Sequence, residues 1–279
     1  MLTPEQHDEF RRFGILRIPG AVPSRVAEKM CDSVWEMLDR RYRIRRGDPE
    51  TWKGQRIAGT KDRPKSMTFE QVANPALRAI LDDLLGSAAW ERDEHWGSLL
   101  VSFPGAPPEA RDSGWDVPYQ GWHVDAPLVR SLPNLYGVRL FTCLAKLPPG
   151  GGATLAVAGS PRVAAKSAGT GGVERLRSAD LRTLLIKRHS WFRELCSPDG
   201  KVDRIREFMN TTSQVEDVEV RVVELTGEPG DIYLMHPVML HAGSPNCLAT
   251  PRMVLSTTVY QHGVNWNALY APEAAQANP

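Results

Sequence analysis

The residues best suited to chemistry in this 279-residue chain are His123 and Asp125, within the segment 120–127. In a strand, side chains two residues apart point to the same side, with Cα atoms about 7 Å apart. One imidazole and one carboxylate on one face are two thirds of the 2-His-1-carboxylate arrangement, which holds Fe(II) and leaves positions open for dioxygen and substrate. Because an isolated H-x-D is common by chance, the spacing predicts a metal site only if a second histidine joins it.

Two later histidines, His236 and His241, are candidates for that third ligand, and their spacing alone leaves both open. Further along, Arg252 opens an apolar strand. A buried arginine needs an anionic partner, and a carboxylate matches its guanidinium fork in a bidentate pair. Together these residues predict a site for an organic diacid beside a metal ion.

The composition is typical of a soluble globular protein, with 42% hydrophobic and 24% charged residues. A net charge of +1 gives no electrostatic argument for binding nucleic acid or an anionic membrane. The N-terminus lacks the basic and then apolar pattern of a signal peptide, and no apolar run approaches the roughly 18 residues of a membrane span. The four cysteines are scattered, as is typical of reduced thiols. We therefore expect a cytoplasmic protein without nucleic-acid or membrane partners; its oligomeric state stays open.

The N-terminal part of the chain carries helix signals. Thr3 is a predicted N-cap, followed by Pro4 at the first helical position and by Gln6, which can reach back. Ser24 is the predicted N-cap of a second amphipathic helix. A third helix is predicted over residues 74–85. Residues 45–68 are polar and without a clear period, and they predict a loop or a lid.

Short apolar runs bounded by Gly and Pro predict strands through most of the remaining chain. The strands are predicted at residues 14–20, 98–103, 137–147, 153–157, 218–225, 232–236 and 253–260. Residues 162–217 interrupt them with two helical stretches, near 179–187 and 202–209, and an insertion of this size could fold over a pocket. Strands separated by turns, behind a helical region, predict a barrel or jelly roll with helical buttresses.

Several motifs taken together resemble the phytanoyl-CoA dioxygenase family of Fe(II)- and 2-oxoglutarate-dependent oxygenases. The resemblance also includes the opening of the chain, from Leu2 to Gly20, and it leaves out residues 40–90 and 162–217. The motifs that carry it are Trp122-His123-Val124-Asp125, Gly150-Gly151-Gly152-Ala153 to Gly159-Ser160, Gly230-Asp231, His236-Pro237 to His241-Ala242-Gly243-Ser244-Pro245-Asn246, and Pro251-Arg252.

The resemblance implies one domain over residues 1–279 with a mainly β fold: a double-stranded β-helix of the jelly-roll or cupin-like type. Residues 1–95 would form a helical support region and residues 96–265 the core, with the insertion at about 162–217. The implied metal ligands and catalytic residues are His123, Asp125 and His241, and the implied cofactors are Fe(II), 2-oxoglutarate and O₂.

Further site residues are implied by position in the family pattern. Arg252 would pair with the distal carboxylate of 2-oxoglutarate, assisted by the Ser244 hydroxyl, and Leu99 and Phe141 would pack against the cosubstrate. Two positions depart from the pattern, without touching the metal set. Pro161 stands where the family usually has His, and Phe141 where it often has Trp.

Substrate contacts are weaker predictions. Arg139 shares a strand face with Phe141, so it could meet a substrate anion or form an ordinary salt bridge. Trp115 and Trp191 could line a substrate pocket or simply pack in a core.

The predicted function is hydroxylation of a small molecule, in natural-product tailoring or small-metabolite oxidation, with release of succinate and CO₂. Some relatives desaturate or cyclise instead. Relatives that chlorinate have a small residue in place of the carboxylate, so Asp125 argues against halogenation. The alternatives are a metal-dependent cupin-like hydrolase or isomerase, in which Zn²⁺ activates water, and a non-catalytic ligand-binding barrel.

Overall fold

The computed structural model describes residues 1–52, 56–60, 72–91, 97–105, 114–129, 131–132, 135–169, 175–198 and 202–264. Its α-helices are α1 (Pro4–Phe13), α2 (Ser24–Tyr42), α3 (Pro75–Leu85), α4 (Ser160–Gly169), α5 (Ser178–Arg188) and α6 (Ser190–Leu195). A 3₁₀ turn lies at Pro49–Trp52 and a π-helical turn at Ile205–Asn210. None of the helices in these ranges has a stretch apolar and long enough to span a bilayer.

The strands are short and spread along the whole described chain. They are β1 (Ile15–Ile18), β2 (Arg56–Thr60), β3 (Trp90–Glu91), β4 (Ser98–Ser102), β5 (Leu128–Val129), β6 (Gly137–Cys143), β7 (Thr154–Ala158), β8 (Arg175–Leu176), β9 (Ser213–Val215), β10 (Val218–Glu224), β11 (Ile232–Met235), β12 (His241–Gly243) and β13 (Arg252–Gln261).

The helix ends show how local sequence sets these boundaries. At α1 the Thr3 side chain accepts a hydrogen bond from the Gln6 N–H and the Gln6 side chain accepts one from the Thr3 N–H, so the predicted capping box is confirmed. Asn74 caps α3 in the same way, by accepting from the Leu77 N–H. The prediction for α2 was wrong by one residue. Pro23 is the N-cap, and the Ser24 hydroxyl instead donates to the Pro229 carbonyl oxygen.

Two antiparallel sheets form the β core. The larger sheet has the order β1-β11-β6-β13-β4-β2, with β3 paired to β13, and the smaller sheet has the order β12-β7-β10-β9. Their inner faces meet in an apolar cluster to which the larger sheet contributes Phe141, Tyr233 and Val254 and the smaller one Ala156 and Ala158. This arrangement confirms the predicted mainly β, double-stranded β-helix fold.

The outer face of each sheet is covered by helices. Alternate residues of β6 and β13, such as Leu140 and Leu255, pack in one cluster with residues of α2 and α3, so the N-terminal helices are the predicted buttress. Leu155 and Val157 of β7 pack in another cluster with residues of α4, α5 and α6. The insertion therefore covers the outer face of the smaller sheet, which is where most of its apolar residues are buried.

The segment 45–68 is only partly a loop. It contains the 3₁₀ turn and then β2, an edge strand that pairs with β4 and lengthens the larger sheet. The prediction missed this strand because the segment has no apolar alternation, and backbone pairing along a sheet edge requires none. Residues 53–55 and 61–71 lie outside the described residues.

Candidate metal centre

His123 and His241 are held side by side by backbone pairing. The N–H group of each residue donates to the carbonyl oxygen of the other, at 2.9 Å in both directions, as an isolated antiparallel bridge. Directly opposed residues in such a pair carry their side chains on the same face. The two imidazole rings accordingly lie 4.2 Å apart between centroids. Residues far apart in the chain thus present two nitrogen ligands at one point.

Backbone carbonyls fix the tautomer of both rings. His123 Nδ1 lies 2.7 Å from the Gly121 oxygen, and His241 Nδ1 lies 3.0 Å from the Met239 oxygen. A carbonyl oxygen can only accept, so Nδ1 carries the proton in each ring and Nε2 keeps its lone pair when the ring is neutral. Gly121 has a φ of 79°, which residues other than glycine rarely adopt. This conformation forms part of the turn that presents the Gly121 carbonyl to His123.

The Asp125 carboxylate completes the cluster. Its oxygens lie 3.5 Å from His123 Nε2 and 3.2 Å from His241 Nε2. The segment is a bend rather than a regular strand, but burial still alternates: Trp122 and Val124 are buried in the core, while His123 and Asp125 face outward. The predicted convergence of these two side chains is therefore present.

The cluster opens on one side to solvent. The His123 side chain is 52% exposed and the Asp125 side chain 26%, while His241 is only 5% exposed. The hydrogen bond to Asp125 raises the pKa of His123, whereas burial lowers the pKa of His241. Burial by itself would raise the pKa of Asp125, but hydrogen bonds from His123 and His241 and the positive charges of His241 and Arg139 outweigh it and hold that pKa well below its usual range.

The donor set fits a divalent metal. One ligand atom from each of the three side chains lies within 4.8 Å of the others. When both rings are neutral, two nitrogen lone pairs and a carboxylate face one another, and a divalent cation would interact with all three. Two imidazoles and one carboxylate are the facial set that suits Fe(II) and leaves open coordination positions. Within the described part of the chain, His236 does not belong to this cluster; its Nδ1 accepts from the Val238 N–H.

The predicted diacid residue, Arg252, begins β13 and is buried, with 6% of its surface exposed. Its Nη2 donates to Thr154 Oγ1 at 2.8 Å. In the smaller sheet Gly243 pairs with Thr154 and His241 pairs with Ala156. Two residues of strand separate these pairs, or about 7 Å. Arg252 therefore contacts β7 about 7 Å along the strand from the pairing position of His241, the predicted metal ligand, and this spacing is close to the length of a short diacid.

Two of the predicted cosubstrate contacts need correction. Ser244 is buried near Thr154, but its hydroxyl donates to the Ala153 carbonyl at 2.8 Å, so only its acceptor capacity is left for a ligand. Leu99 faces the opposite side of the larger sheet and packs in the cluster formed with α2 and α3. Its neighbour Leu100 packs in the cluster between the sheets. Because alternate residues of a strand face opposite sides, the sequence match was one residue from the correct face.

Phe141 and Arg139 do lie beside the predicted metal ligands. The Phe141 ring meets the His241 ring edge-on at 6.4 Å, in the cluster between the two sheets. The Arg139 guanidinium lies over Phe141, 5.3 Å from its centroid, and its Nη1 forms an ion pair with Asp125 Oδ2. Of the two interpretations offered for Arg139, the salt bridge is present, and its partner is the predicted metal ligand.

The two tryptophans predicted to line a pocket differ in surroundings. Trp191 is 7% exposed and packs edge-on against Phe192 and Phe208 in the helical layer, which is the position of a packing residue rather than of a pocket wall. Trp115 packs beside Gly150 and is partly buried. Its substrate role stays a prediction.

Two residues of this region were not identified from the sequence as site residues. Thr154 holds the Arg252 guanidinium, and Asn246 is fully buried and donates its amide to the carbonyls of Ser102 and Thr250. Asn246 thereby fixes the loop between β12 and β13, which connects His241 to Arg252. The only signal for Thr154 was its position directly after the Gly150–Ala153 motif.

Comparisons with known proteins agree with this arrangement. The family model described as phytanoyl-CoA dioxygenase (PhyH) matches residues 10–254. A search of curated proteins finds no match. Among solved structures, EvdMO1 matches with a TM-score of 0.54 at 14% identity over 92% of this chain and 50% of its own.

Two further structures match more loosely. The epimerase SnoN, in complex with Fe3+, alpha ketoglutarate and nogalamycin RO, has a TM-score of 0.47 at 14% identity over 99% of this chain and 91% of its own. EvdO2 from Micromonospora carbonacea var. aurantiaca, complexed with 2-oxoglutarate, has a TM-score of 0.49 at 16% identity over 93% of this chain and 91% of its own. The matched family model spans most of the chain, so the protein belongs to the phytanoyl-CoA dioxygenase family of Fe(II)- and 2-oxoglutarate-dependent oxygenases.

Proposed function

We propose that this protein hydroxylates a small molecule, using Fe(II), 2-oxoglutarate and O₂ and releasing succinate and CO₂. The observation that carries the proposal is the convergence of His123 Nε2, His241 Nε2 and the Asp125 carboxylate, with both rings fixed in the tautomer that offers Nε2 to a metal. Iron bound there with 2-oxoglutarate would supply the oxidising chemistry.

The chain's own residues would hold and orient these groups. Each Nδ1–H bond to a backbone carbonyl prevents its imidazole from rotating, and such outer contacts support metal affinity. Arg139 holds one oxygen of Asp125, which favours a single carboxylate oxygen toward the metal and leaves coordination positions for 2-oxoglutarate and O₂. Phe141, buried against His241, excludes water from one side of the site.

Arg252 supports 2-oxoglutarate as the cosubstrate. Arg252 is buried, and its guanidinium is held by Thr154, which lies two residues along β7 from Ala156, the strand partner of His241. A five-carbon diacid has a matching length between its two ends, and a guanidinium matches its distal carboxylate. A hydrolase or isomerase that only activates water at the same ligands has no need of this second site, so the arrangement favours the oxygenase over that alternative.

Hydroxylation, rather than another oxidative outcome, remains the proposed reaction. Related structures include an epimerase, so the fold accommodates other outcomes. Asp125 occupies the carboxylate position that halogenating relatives lack, which argues against halogenation. We infer a small-molecule substrate: His123 and Asp125 are partly exposed, so a ligand can reach the cluster, and the structure of SnoN holds the small molecule nogalamycin RO.

The test is formation of succinate that depends on both Fe(II) and 2-oxoglutarate. We expect His123→Ala to abolish it and to abolish the visible absorption band that 2-oxoglutarate induces in the anaerobic iron-loaded protein. His262→Ala is the matched control, because His262 is an exposed histidine whose ring faces Glu91. Succinate formation that persists in His123→Ala at the level of the His262→Ala control would refute the proposal. Product analysis by mass spectrometry with a panel of small molecules then tests whether one oxygen atom is added.

A further inference from the structure

Two buried polar atoms beside the proposed metal ligands have no role in the proposed function. Within the described residues, neither Arg139 Nε nor Ser256 Oγ has a hydrogen-bond partner, although both atoms are buried. Ser256 is 5% exposed. Buried polar groups in folded proteins are nearly always hydrogen-bonded, so unpartnered ones mark a position that a ligand or ordered water fills.

The sheet register brings these two groups together. On β13, Val254 packs between the sheets while Leu255 packs on the outer face, so Ser256 points inward. Across the strand pair Ser256 lies opposite Phe141, and Thr258 lies opposite Arg139. Arg139 and Ser256 are therefore diagonal neighbours on the inner face, a separation that a long side chain can bridge.

The free part of Arg139 has the geometry of a carboxylate site. Its Nη1 is engaged by Asp125, and its ring contact with Phe141 fixes the plane of the guanidinium. Nε–H and the neighbouring Nη2 form the side-on fork that binds a carboxylate with two hydrogen bonds. The Arg139 side chain is 24% exposed, so a small ligand can reach it from the opening at Asp125.

We propose that Arg139 and Ser256 form a second carboxylate subsite beside the metal cluster, separate from Arg252, with the Ser256 hydroxyl donating to an oxygen that the Arg139 fork also holds. The inference rests on the proposed function for the identity of the neighbouring metal. Two sources could supply the carboxylate: the end of 2-oxoglutarate next to its 2-oxo group, or an acidic group on the substrate to be oxidised.

The experiment uses the full protein loaded with Ni(II), which does not turn over, and compares Arg139→Gln, Ser256→Ala and Arg252→Gln with the wild type. Gln at 139 keeps a donor for Asp125, and nickel stoichiometry is measured for every variant. Thr257→Val is the matched control, because it removes a buried hydroxyl from the opposite face of the same strand. The probes are 2-oxoglutarate; pyruvate, which lacks the distal carboxylate; and acetate, which is a carboxylate alone.

If the subsite takes the 2-oxo acid end of 2-oxoglutarate, Arg139→Gln raises the Kd of both 2-oxoglutarate and pyruvate about 10-fold or more, and Ser256→Ala raises them about 3- to 10-fold. Arg252→Gln then weakens 2-oxoglutarate alone. If the subsite takes a substrate carboxylate, 2-oxoglutarate affinity is unchanged. Acetate binding in the presence of saturating 2-oxoglutarate, followed by saturation-transfer NMR, then falls in the same two variants.

The subsite is excluded if Arg139→Gln and Ser256→Ala bind nickel fully and have the same Kd as Thr257→Val for every probe. The proposed function fails separately. A wild-type protein that binds acetate through Arg139 but does not bind 2-oxoglutarate would keep the subsite and exclude the oxygenase. If only Arg252→Gln weakens 2-oxoglutarate binding, and no variant changes acetate binding, the subsite is excluded and the oxygenase proposal stands.

Discussion

Asp125 and Asp231 each face an arginine in this protein, yet they differ in what else surrounds them. Asp231 is 3% exposed and accepts hydrogen bonds from the N–H groups of Gly20 and Glu228, at 2.8 and 2.9 Å, and from Arg17. Every one of these partners is a donor. A carboxylate with this many donors is complete, and it binds together β1, β11 and the turn that precedes β11.

Asp125 faces a donor of fixed charge, Arg139, and two imidazole nitrogens that carry lone pairs when the rings are neutral. Its side chain is also about five times more exposed, at 26% against 5%. The comparison separates a carboxylate surrounded by donors of the fold from one that also faces two imidazole nitrogens, and we propose that a metal ion binds at the second. Both have a lowered pKa, so the pKa shift alone does not tell them apart.

The largest expected effect comes from removing the charge of Asp125. Asp125→Asn keeps the size of the side chain but loses a metal ligand, so we expect metal affinity to fall by about 100-fold or more, since changes of outer contacts alone cost about 10- to 100-fold. Succinate formation should be lost. The metal-free protein should also lose some stability, because the Asp125–Arg139 pair is only about a quarter exposed, but it should lose less than when Asp231, which also holds two backbone N–H groups, is changed in the same way. Calorimetric metal titration and chemical denaturation measure the two effects, and an unchanged metal affinity would contradict the assignment.

Asp231 should show the opposite pattern. Asp231→Asn gives the Arg17 guanidinium and the N–H groups of Gly20 and Glu228 a weaker acceptor. We therefore expect the free energy of unfolding to fall by about 2–4 kcal/mol. Metal affinity of the folded protein should stay within about twofold. Glu228→Gln serves as the control, because its exposed pair with Lys146 contributes under about 1 kcal/mol. Equal losses of stability in the two variants would contradict the special role of Asp231.

The same residue should set part of the acid sensitivity. Burial by itself would raise the pKa of Asp231, but hydrogen bonds from the Gly20 and Glu228 N–H groups and from Arg17 outweigh it and hold the pKa below its usual range. A carboxylate whose pKa is lower in the folded than in the unfolded protein stabilises the fold. This contribution is fully present above the ordinary aspartate pKa of about 3.9 and is lost as pH falls through the folded pKa. Below about pH 4 the wild type should therefore lose stability more steeply than Asp231→Asn. Denaturation midpoints over a pH series measure both slopes, and identical slopes would exclude the contribution.

The convergence of His123, Asp125 and His241 was accessible from the sequence because its signal is local and chemical. His123 and Asp125 are two residues apart, and the pattern around His241 resembles one family. The α1 cap and the strands were accessible for the same reason, since caps and alternation are read within a few residues. Leu99 was misplaced because strand register decides which face a residue occupies, and a shift of one residue reverses it.

Other features depend on contacts between distant segments. Arg204 is buried and donates to the carbonyl oxygens of Val117, Pro118 and Leu195, so it ties the insertion to the segment that leads into His123. Its acceptors are backbone atoms, which carry no sequence signature, and it is one of 34 basic residues. The ion pair of Arg139 with Asp125 was only one of two interpretations, because no local pattern shows which side chains meet across sheets.

The smallest expected effect extends the comparison to a third arginine. Arg252 donates to a neutral hydroxyl, Thr154 Oγ1, where Arg17 and Arg139 donate to carboxylates. If Thr154 orients the guanidinium for a diacid, Thr154→Val should raise the Kd of 2-oxoglutarate about 2- to 10-fold, the cost of one hydrogen bond, with metal affinity unchanged. Thr257→Val, a buried hydroxyl on the opposite face of β13, is the control and should leave the Kd unchanged. An unchanged Kd in Thr154→Val, alongside a large increase in Arg252→Gln, would show that the guanidinium is oriented by the sheet and not by the hydroxyl.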